Sequence, residues 1–355
     1  MRFTFLFSSF IIAPSSLSLS TTSHEHLSRT TTTPGGQRFS AHRPGAAAGI
    51  ALAIFLLCSA QAIAAERFLI SIPGPTLSYA HLYYGQERGF FTQEGLDLQI
   101  LVVRGVIGVS SLMSGEIDVT CHAGSGFAAA LRGLPLKIIF VTHDRPLHEL
   151  IVGPSITSPA DLKGKAIAVG SLEGTAAVVM RRILQAKGLD PQKDVTLLSM
   201  DTASRLQSLL TGKVAGGMLT PPSTYLAQDQ GYRVLARGKD HVRYLQTGVV
   251  ATEASLKQKR AKIVRFLKVW GRSLKFYQDN PEVMIPYIQK RLGVKEPQLA
   301  RRMYEDDTQS ISLTGILSPE AAKEILDSGR EALGIKEPTA LDRIFDFSLA
   351  SEALK

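Results

Sequence analysis

Short apolar runs alternate with longer stretches of helical spacing through the first two thirds of the chain after residue 65. "RFLISIPG" (67–74) reads as a strand running into a Gly/Pro loop. "YAHLYYGQERGFFTQEG" (79–95) has helical spacing broken by glycines, and "LDLQILVV" (96–103) is a second strand. A short helix at 106–114 precedes a strand at 116–123, then a helix at 126–133 and a strand at 136–143. The same alternation continues with strands at 148–153, in "KAIAVG" before residue 171, and at 194–200, 214–220 and 232–238. Helices at 174–188, 203–213 and 223–231 separate the later ones. From 257 onward the pattern is helical, at 257–278, 281–292, 296–307 and 319–333, with Leu267, Trp270 and Leu274 spaced as a packing stripe. Repeated strand–helix units predict an α/β fold of mainly parallel sheet covered by helices on both faces. The strands are too many for one small sheet, so two lobes are expected.

An internal echo supports two lobes. "SSLMSGEIDVTCHAGSGFAAAL" (110–131) and "QSLLTGKVAGGMLTPPSTYLAQ" (207–228) share a helix ending in Leu-x-x-Gly, an apolar strand, a small-residue loop and another helix. Ligands of open α/β sheets bind beyond the carboxyl ends of the strands, where helix N-termini offer free N–H groups and partial positive charge. Five loops hold such places: 73–79, 104–108, 122–127, 170–175 and 220–224. Each alone reads equally as a routine helix cap; their convergence from two half-chains favours a ligand site. The candidates are Thr76, Ser78, Tyr79, Gly105, Gly124, Ser125, Gly126, Ser171, Gly174, Thr175, Thr220 and Pro222. Arg104 and Arg145 stand near strand exits and could clamp an anionic head group, or balance a nearby carboxylate at the surface.

Composition changes the picture mainly at the N-terminus. The 355 residues are 45% hydrophobic and 20% charged, enough for two cores. Residues 15–40 are rich in Ser, Thr and Pro, and a basic flank then precedes "AAAGIALAIFLLCSAQAIAA" (46–65), which ends in Ala62-Ile63-Ala64. Basic flank, apolar core and small-residue exit predict a secretory signal cleaved near residues 64–65. The strictly apolar part, about a dozen residues, falls short of the roughly 20 a spanning helix needs. Cys58 would be a lipid-modification site except that the bulky Leu57 precedes it. Of the net charge of +9, Arg2, Arg29, Arg38 and Arg43 against Glu25 supply +3, and the remaining +6 is dispersed. No basic block with interleaved aromatics points to nucleic acid. Cys58 leaves with the signal, so Cys121 has no disulfide partner in the mature chain.

Enzymatic patterns are weak. G-x-S-x-G, G-x-x-x-x-G-K-[ST] and H-E-x-x-H do not occur. Cys121 and His122 adjoin on a strand and so face opposite ways, which predicts a buried thiol and not a nucleophile pair. His143 and His148, with Asp144 and Glu149, read as a metal cluster or as a solvated hinge with local ion pairs; the hinge is favoured by their place between lobes. Asp306-Asp307 reads as an exposed helix end. No metal and no cofactor is expected.

At "YGQERGFFTQEGLDLQI" (84–100), "LMSGEIDV" (112–119), "DLKGKAIAV" (161–169), "ILQAKGLDPQKDV" (183–195) and "GYRVLA" (231–236) the chain resembles periplasmic solute-binding proteins of ABC importers. The group in question includes nitrate, taurine, aliphatic-sulfonate and thiamine-pyrimidine binders. The resemblance implies a type II two-lobed periplasmic-binding fold with a hinged cleft. Residues 1–65 would be the leader, 66–148 the first part of lobe 1, 149–240 lobe 2, and 241–355 the return to lobe 1. It further implies a non-enzymatic, monomeric, extracytoplasmic protein that delivers a small anionic or heteroaromatic solute to an inner-membrane permease with its cytoplasmic ATPase. A sensor of the same fold feeding a signalling partner is the alternative. A thiamine-precursor synthase, as in the fungal branch, would need a cysteine-rich iron motif that one mature cysteine does not supply. "GVIGVSS" (105–111) is also more apolar than the family pattern.

Overall fold

The computed structural model describes residues 65–355; the leader and cleavage site expected from the sequence lie outside them. The first sheet, A, begins with β1 (Glu66–Ile72), whose hydrogen-bonded parallel partner is the edge strand β2 (Leu96–Val102). Between them lie a 3-10 turn at Leu77–Tyr79, α1 (Ala80–Glu87) and α2 (Phe90–Gln93). The sequence predicts one helix broken by glycines across 79–95. The break falls at Gly89, whose φ of 71° is left-handed and open to glycine at little cost. After α3 (Gly105–Met113) the strand expected at 116–123 shrinks to β3 (Val119–Thr120). Asp118 is the reason on its N-terminal side: its carboxylate accepts the Leu69 N–H at 2.9 Å, where a ladder bond would otherwise form. α4 (Ala123–Leu131) and β4 (Leu136–His143) follow.

The chain then enters a second sheet, B. It comprises β5 (Glu149–Val152), β6 (Lys165–Val169), α5 (Thr175–Ala186), β7 (Val195–Ser199), α6 (Thr202–Leu210), β8 (Gly216–Leu219), α7 (Ser223–Gln228) and β9 (Arg233–Arg237). Sheet A is completed by β10 (Thr247–Thr252), a strand the periodicity did not single out. Helices close the chain: α8 (Glu253–Gln258), α9 (Arg260–Asp279), α10 (Pro281–Leu292), α11 (Pro297–Thr308), α12 (Pro319–Leu333), α13 (Leu341–Ile344) and α14 (Ser348–Ala353).

Sheet A runs β2-β1-β3-β10-β4 and sheet B runs β7-β6-β8-β5-β9. In each, the fourth strand is antiparallel to both neighbours, and the chain has just arrived from the other sheet when it forms. The other pairs between neighbouring strands are parallel. The result is the two-lobed α/β fold that the strand–helix alternation predicts.

The lobe around sheet A is cored by β1, α1 and α9. Leu267, Trp270 and Leu274 are fully buried, and Phe68 stacks on Phe266 at 4.5 Å between ring centroids. Around sheet B, Val179, Met180, Ile183 and Leu184 of α5 pack on Ile167, Val169 and Met218. The lobes also touch: Arg182 of α5 pairs with Glu331 of α12, and Arg132 pairs with Glu173.

Two expectations are corrected here. The segment between β4 and β5 is not solvated: His143 is fully buried and His148 is 8% exposed, because α11 and the 241–246 segment cover them. Asp144 and Glu149 do form local ion pairs, with Arg243 and Arg237. Asp307 is not at an exposed helix end but 2% exposed, with Oδ1 3.3 Å from His143 Nε2; Asp306 beside it is exposed.

Candidate functional site

The carboxyl ends of the two sheets face each other across a cavity with about 740 Å³ of empty space, counting the part open to solvent. β3 delivers His122 and the N-terminus of α4; β6 delivers the loop before α5; β7 delivers α6; β8 delivers Thr220.

α4 and α5 point their first turns into this cavity from opposite lobes, and no side chain caps either. Their leading N–H groups are therefore left to a ligand or to water. The two termini nearly touch. A Cβ at Gly124 would stand 2.7 Å from the Thr175 backbone nitrogen, so only glycine permits this approach. Ser125 Oγ donates to Ser171 Oγ at 3.4 Å across the same gap. Thr175 Oγ1 donates to the Leu245 carbonyl at 2.6 Å, tying α5 to the returning chain.

The buried charge of the cavity comes from α6. Arg205 is 6% exposed, and burial lowers its pKa to about 10, with Asp201 acting in the opposite direction. One Nη donates to Thr202 Oγ1 at 3.2 Å and the other to the Met218 carbonyl, while Nε has no partner. Among the described residues no carboxylate lies within ion-pair distance of it. Asp201 is committed to capping α6, accepting from Ser204 N at 2.9 Å and from Ser204 Oγ at 2.6 Å. A buried cation lacking a direct counter-ion beside two uncapped helix N-termini is an arrangement that takes an anion.

Cys121 and His122 line the same cavity without forming a reactive pair. His122 Nε2 lies 2.9 Å from the Val103 carbonyl, which only accepts, so Nε2 carries the hydrogen. Nδ1 then accepts from Thr120 Oγ1, 2.9 Å away. Burial lowers this ring's pKa to about 4, opposed by the Val103 bond. Burial pushes the Cys121 thiol far up, which makes it a poor nucleophile. Tyr79 Oη donates to the Cys121 carbonyl at 2.9 Å.

Of the residues picked from sequence, Thr76, Tyr79, Arg104, Gly105, Gly124, Ser125, Ser171, Gly174, Thr175 and Thr220 line the cavity. Four stand elsewhere. Ser78 is buried inside the 3-10 turn, and Gly126 faces the core, where an added Cβ would lie 2.9 Å from Val250. Arg145 borders a separate cavity with Tyr225 and Asp306, and Pro222 stands outside this one as the N-cap of α7. Sequence reasoning missed Arg205 and Gln246, and read His148 as part of a hinge and not as a cavity residue. Arg205 had a signal: it precedes the buried Leu209 by one helical turn, a charge on the inward face of α6.

This geometry, two α/β lobes facing each other across a cavity at opposed helix N-termini, is that of the two-lobed periplasmic-binding-protein fold. The family model described as NMT1/THI5 like matches residues 77–284, more than half of the chain, and the protein belongs to that family. YtlA of Bacillus subtilis (strain 168), which carries a binding-protein name, is 25% identical over 241 residues, covering 64% of this chain and 72% of YtlA. The alkanesulfonate-binding protein SsuA from Xanthomonas axonopodis pv. citri, bound to MOPS, superposes with a TM-score of 0.65 at 18% identity, over 82% of this chain and 98% of SsuA. The periplasmic aliphatic sulphonate binding protein SsuA from Escherichia coli gives 0.61 at 19%, over 79% and 97%. At these identities the two structures share the fold.

Proposed function

We propose that this protein is the extracytoplasmic solute-binding component of an ABC importer, capturing a small organic anion between its lobes for an inner-membrane permease. One observation carries the reading. The buried Arg205, with no direct carboxylate partner, shares a cavity with the uncapped N-termini of α4 and α5 from opposite lobes. The names of the relatives and the apolar, small-residue-terminated segment at 46–65 are consistent with export and transport. Lobe 1 (66–148 and 241–355) and lobe 2 (149–240) would then hinge about the two crossings, with the chain acting as a monomer. A binding role, and not catalysis, fits a cavity whose thiol is held neutral and whose adjacent imidazole has both nitrogens engaged.

The test is a thermal-shift screen of sulfonates, carboxylates, nitrate and pyrimidines on the mature protein, repeated on Arg205→Gln. A ligand at 100 times its dissociation constant adds about 2.7 kcal/mol of stability. The reading requires an anion that shifts the parent's midpoint and leaves that of Arg205→Gln in place. It fails if no class shifts the parent, or if the variant responds equally.

A further inference from the structure

Besides an unpaired cation, the cavity holds an unpaired acceptor. His148 lies between β4 and β5 in the wall between this cavity and the separate one beside Arg145, lining both, and Gln246 and Arg205 stand with it on this side. The Leu147 backbone N–H donates to the Gln246 side-chain oxygen at 3.2 Å. A backbone amide only donates, so the side-chain atom facing it must be the carbonyl oxygen. The same oxygen lies 2.9 Å from His148 Nδ1, and Nδ1 must therefore bear the ring hydrogen. In a neutral imidazole this leaves Nε2 as a bare acceptor. No described residue donates to Nε2, and it is not among the atoms sealed from solvent without a partner. Burial, with the Arg205 charge second, lowers the ring's pKa to about 3, so it remains neutral under any ordinary condition.

We propose that His148 Nε2 selects anions that also carry an N–H or O–H donor. The ligand class is then an amino- or hydroxy-substituted sulfonate or carboxylate, or a hydrogen-bearing phosphonate. Acceptor-only anions such as nitrate, sulfate or an unsubstituted alkanesulfonate are disfavoured. The proposal rests on the anion-binding reading above: Arg205 and the helix N-termini take the charge, and His148 takes the donor. The physical basis is the asymmetry of buried hydrogen bonding. An acceptor desolvated by lobe closure and left unpaired costs more than a made bond contributes, so a site with a fixed acceptor discriminates by rejection.

The experiment is calorimetric titration of the mature protein with two matched pairs, 2-hydroxyethanesulfonate against ethanesulfonate and hydroxyacetate against acetate. In at least one pair the donor-bearing member binds about tenfold tighter or more. His148→Leu brings that ratio to about one. Gln246→Leu, which frees the ring to carry its hydrogen on Nε2, lowers or inverts it. Long-range nitrogen–proton spectra of the unliganded protein read the tautomer without any ligand and show Nδ1–H. An Nε2–H tautomer overturns the proposal. Equal affinities within each pair that binds, with binding lost in Arg205→Gln, overturn the role of His148 and leave the anion site standing. No binding by either pair overturns both.

Discussion

Sheets A and B run in the same strand order, with the same antiparallel strand in fourth place, yet the faces they present to the cavity differ in kind. The sheet A side supplies neutral groups: Thr76, Tyr79, Gly105 and the N-terminus of α4, with the exposed Arg104 its one charge. The sheet B side supplies the buried Arg205 and a committed Asp201. The repeated backbone plan explains why two helix N-termini oppose each other, since each sheet aims its helices the same way. It does not explain the buried charge, which belongs to a single side chain on α6. The lobes differ in their titratable interiors too. No histidine occurs anywhere in 149–237, whereas His81, His122 and His143 lie in the sheet A lobe and His148 just ahead of β5.

Acid is the strongest way to sharpen that contrast. His81, His122 and His148 have pKa values lowered to about 3, 4 and 3, chiefly by burial. Their folded values lie below the unfolded one of roughly 6.5, so the unfolded chain binds more protons and stability is lost as pH falls. The loss begins near pH 6.5 and continues down through the folded values. Each histidine contributes about 1.4 kcal/mol per pH unit, on the order of 5 kcal/mol between pH 6.5 and 5 for the three. Hydrogen exchange at pH 5 should show β1, β3 and β4 loosening before β6 and β8. Uniform loosening would erase the distinction between the lobes.

Next in size is Trp270→Ala. Its ring is fully buried between Phe140, Phe266 and His81, and its indole N–H donates to Thr142 Oγ1 at 3.1 Å. Removing it should cost about 3–5 kcal/mol, read as a lower urea midpoint. Gly124→Val attacks closure without touching either core. The added side chain meets the Thr175 backbone, which cannot yield as a flexible side-chain tip would, and costs about 1–3 kcal/mol of lobe closure. Ligand affinity falls while the unliganded midpoint holds, and small-angle scattering shows the liganded protein remaining extended. An unchanged affinity would mean the α4 and α5 termini do not meet in the bound state. Smallest is Arg182→Ala, which breaks the exposed pair with Glu331 at the lobe boundary for about 0–1 kcal/mol in thermal melts.

Much of this architecture was legible in local pattern. Alternating strand and helix signals placed the elements from β1 to β9, and Gly, Ser and Thr at strand exits marked most of the cavity wall. β10 escaped because "TGVVAT" is one apolar run among several, and its assignment depends on pairing with β3 and β4, strands more than a hundred residues earlier. Arg205 escaped because a charge on a helix reads as surface until the partner of that helix face is known. Ser78 and Gly126 were over-read, since their loops reach the cavity while their own positions turn into the core.

The sequence by itself determined the alternation of elements, the twofold plan of the chain and the small residues at the strand ends. Those follow from periodicities of two and 3.6 residues and from backbone freedom, which act within a few positions. Only the tertiary structure decided that Gly124 would meet Thr175, that Arg205 would lack a direct counter-ion, and that Gln246 would fix the hydrogen of His148. Each of these joins segments tens of residues or more apart, and partnership in a folded interior is set by the crossing of the chain between sheets, which no local pattern records.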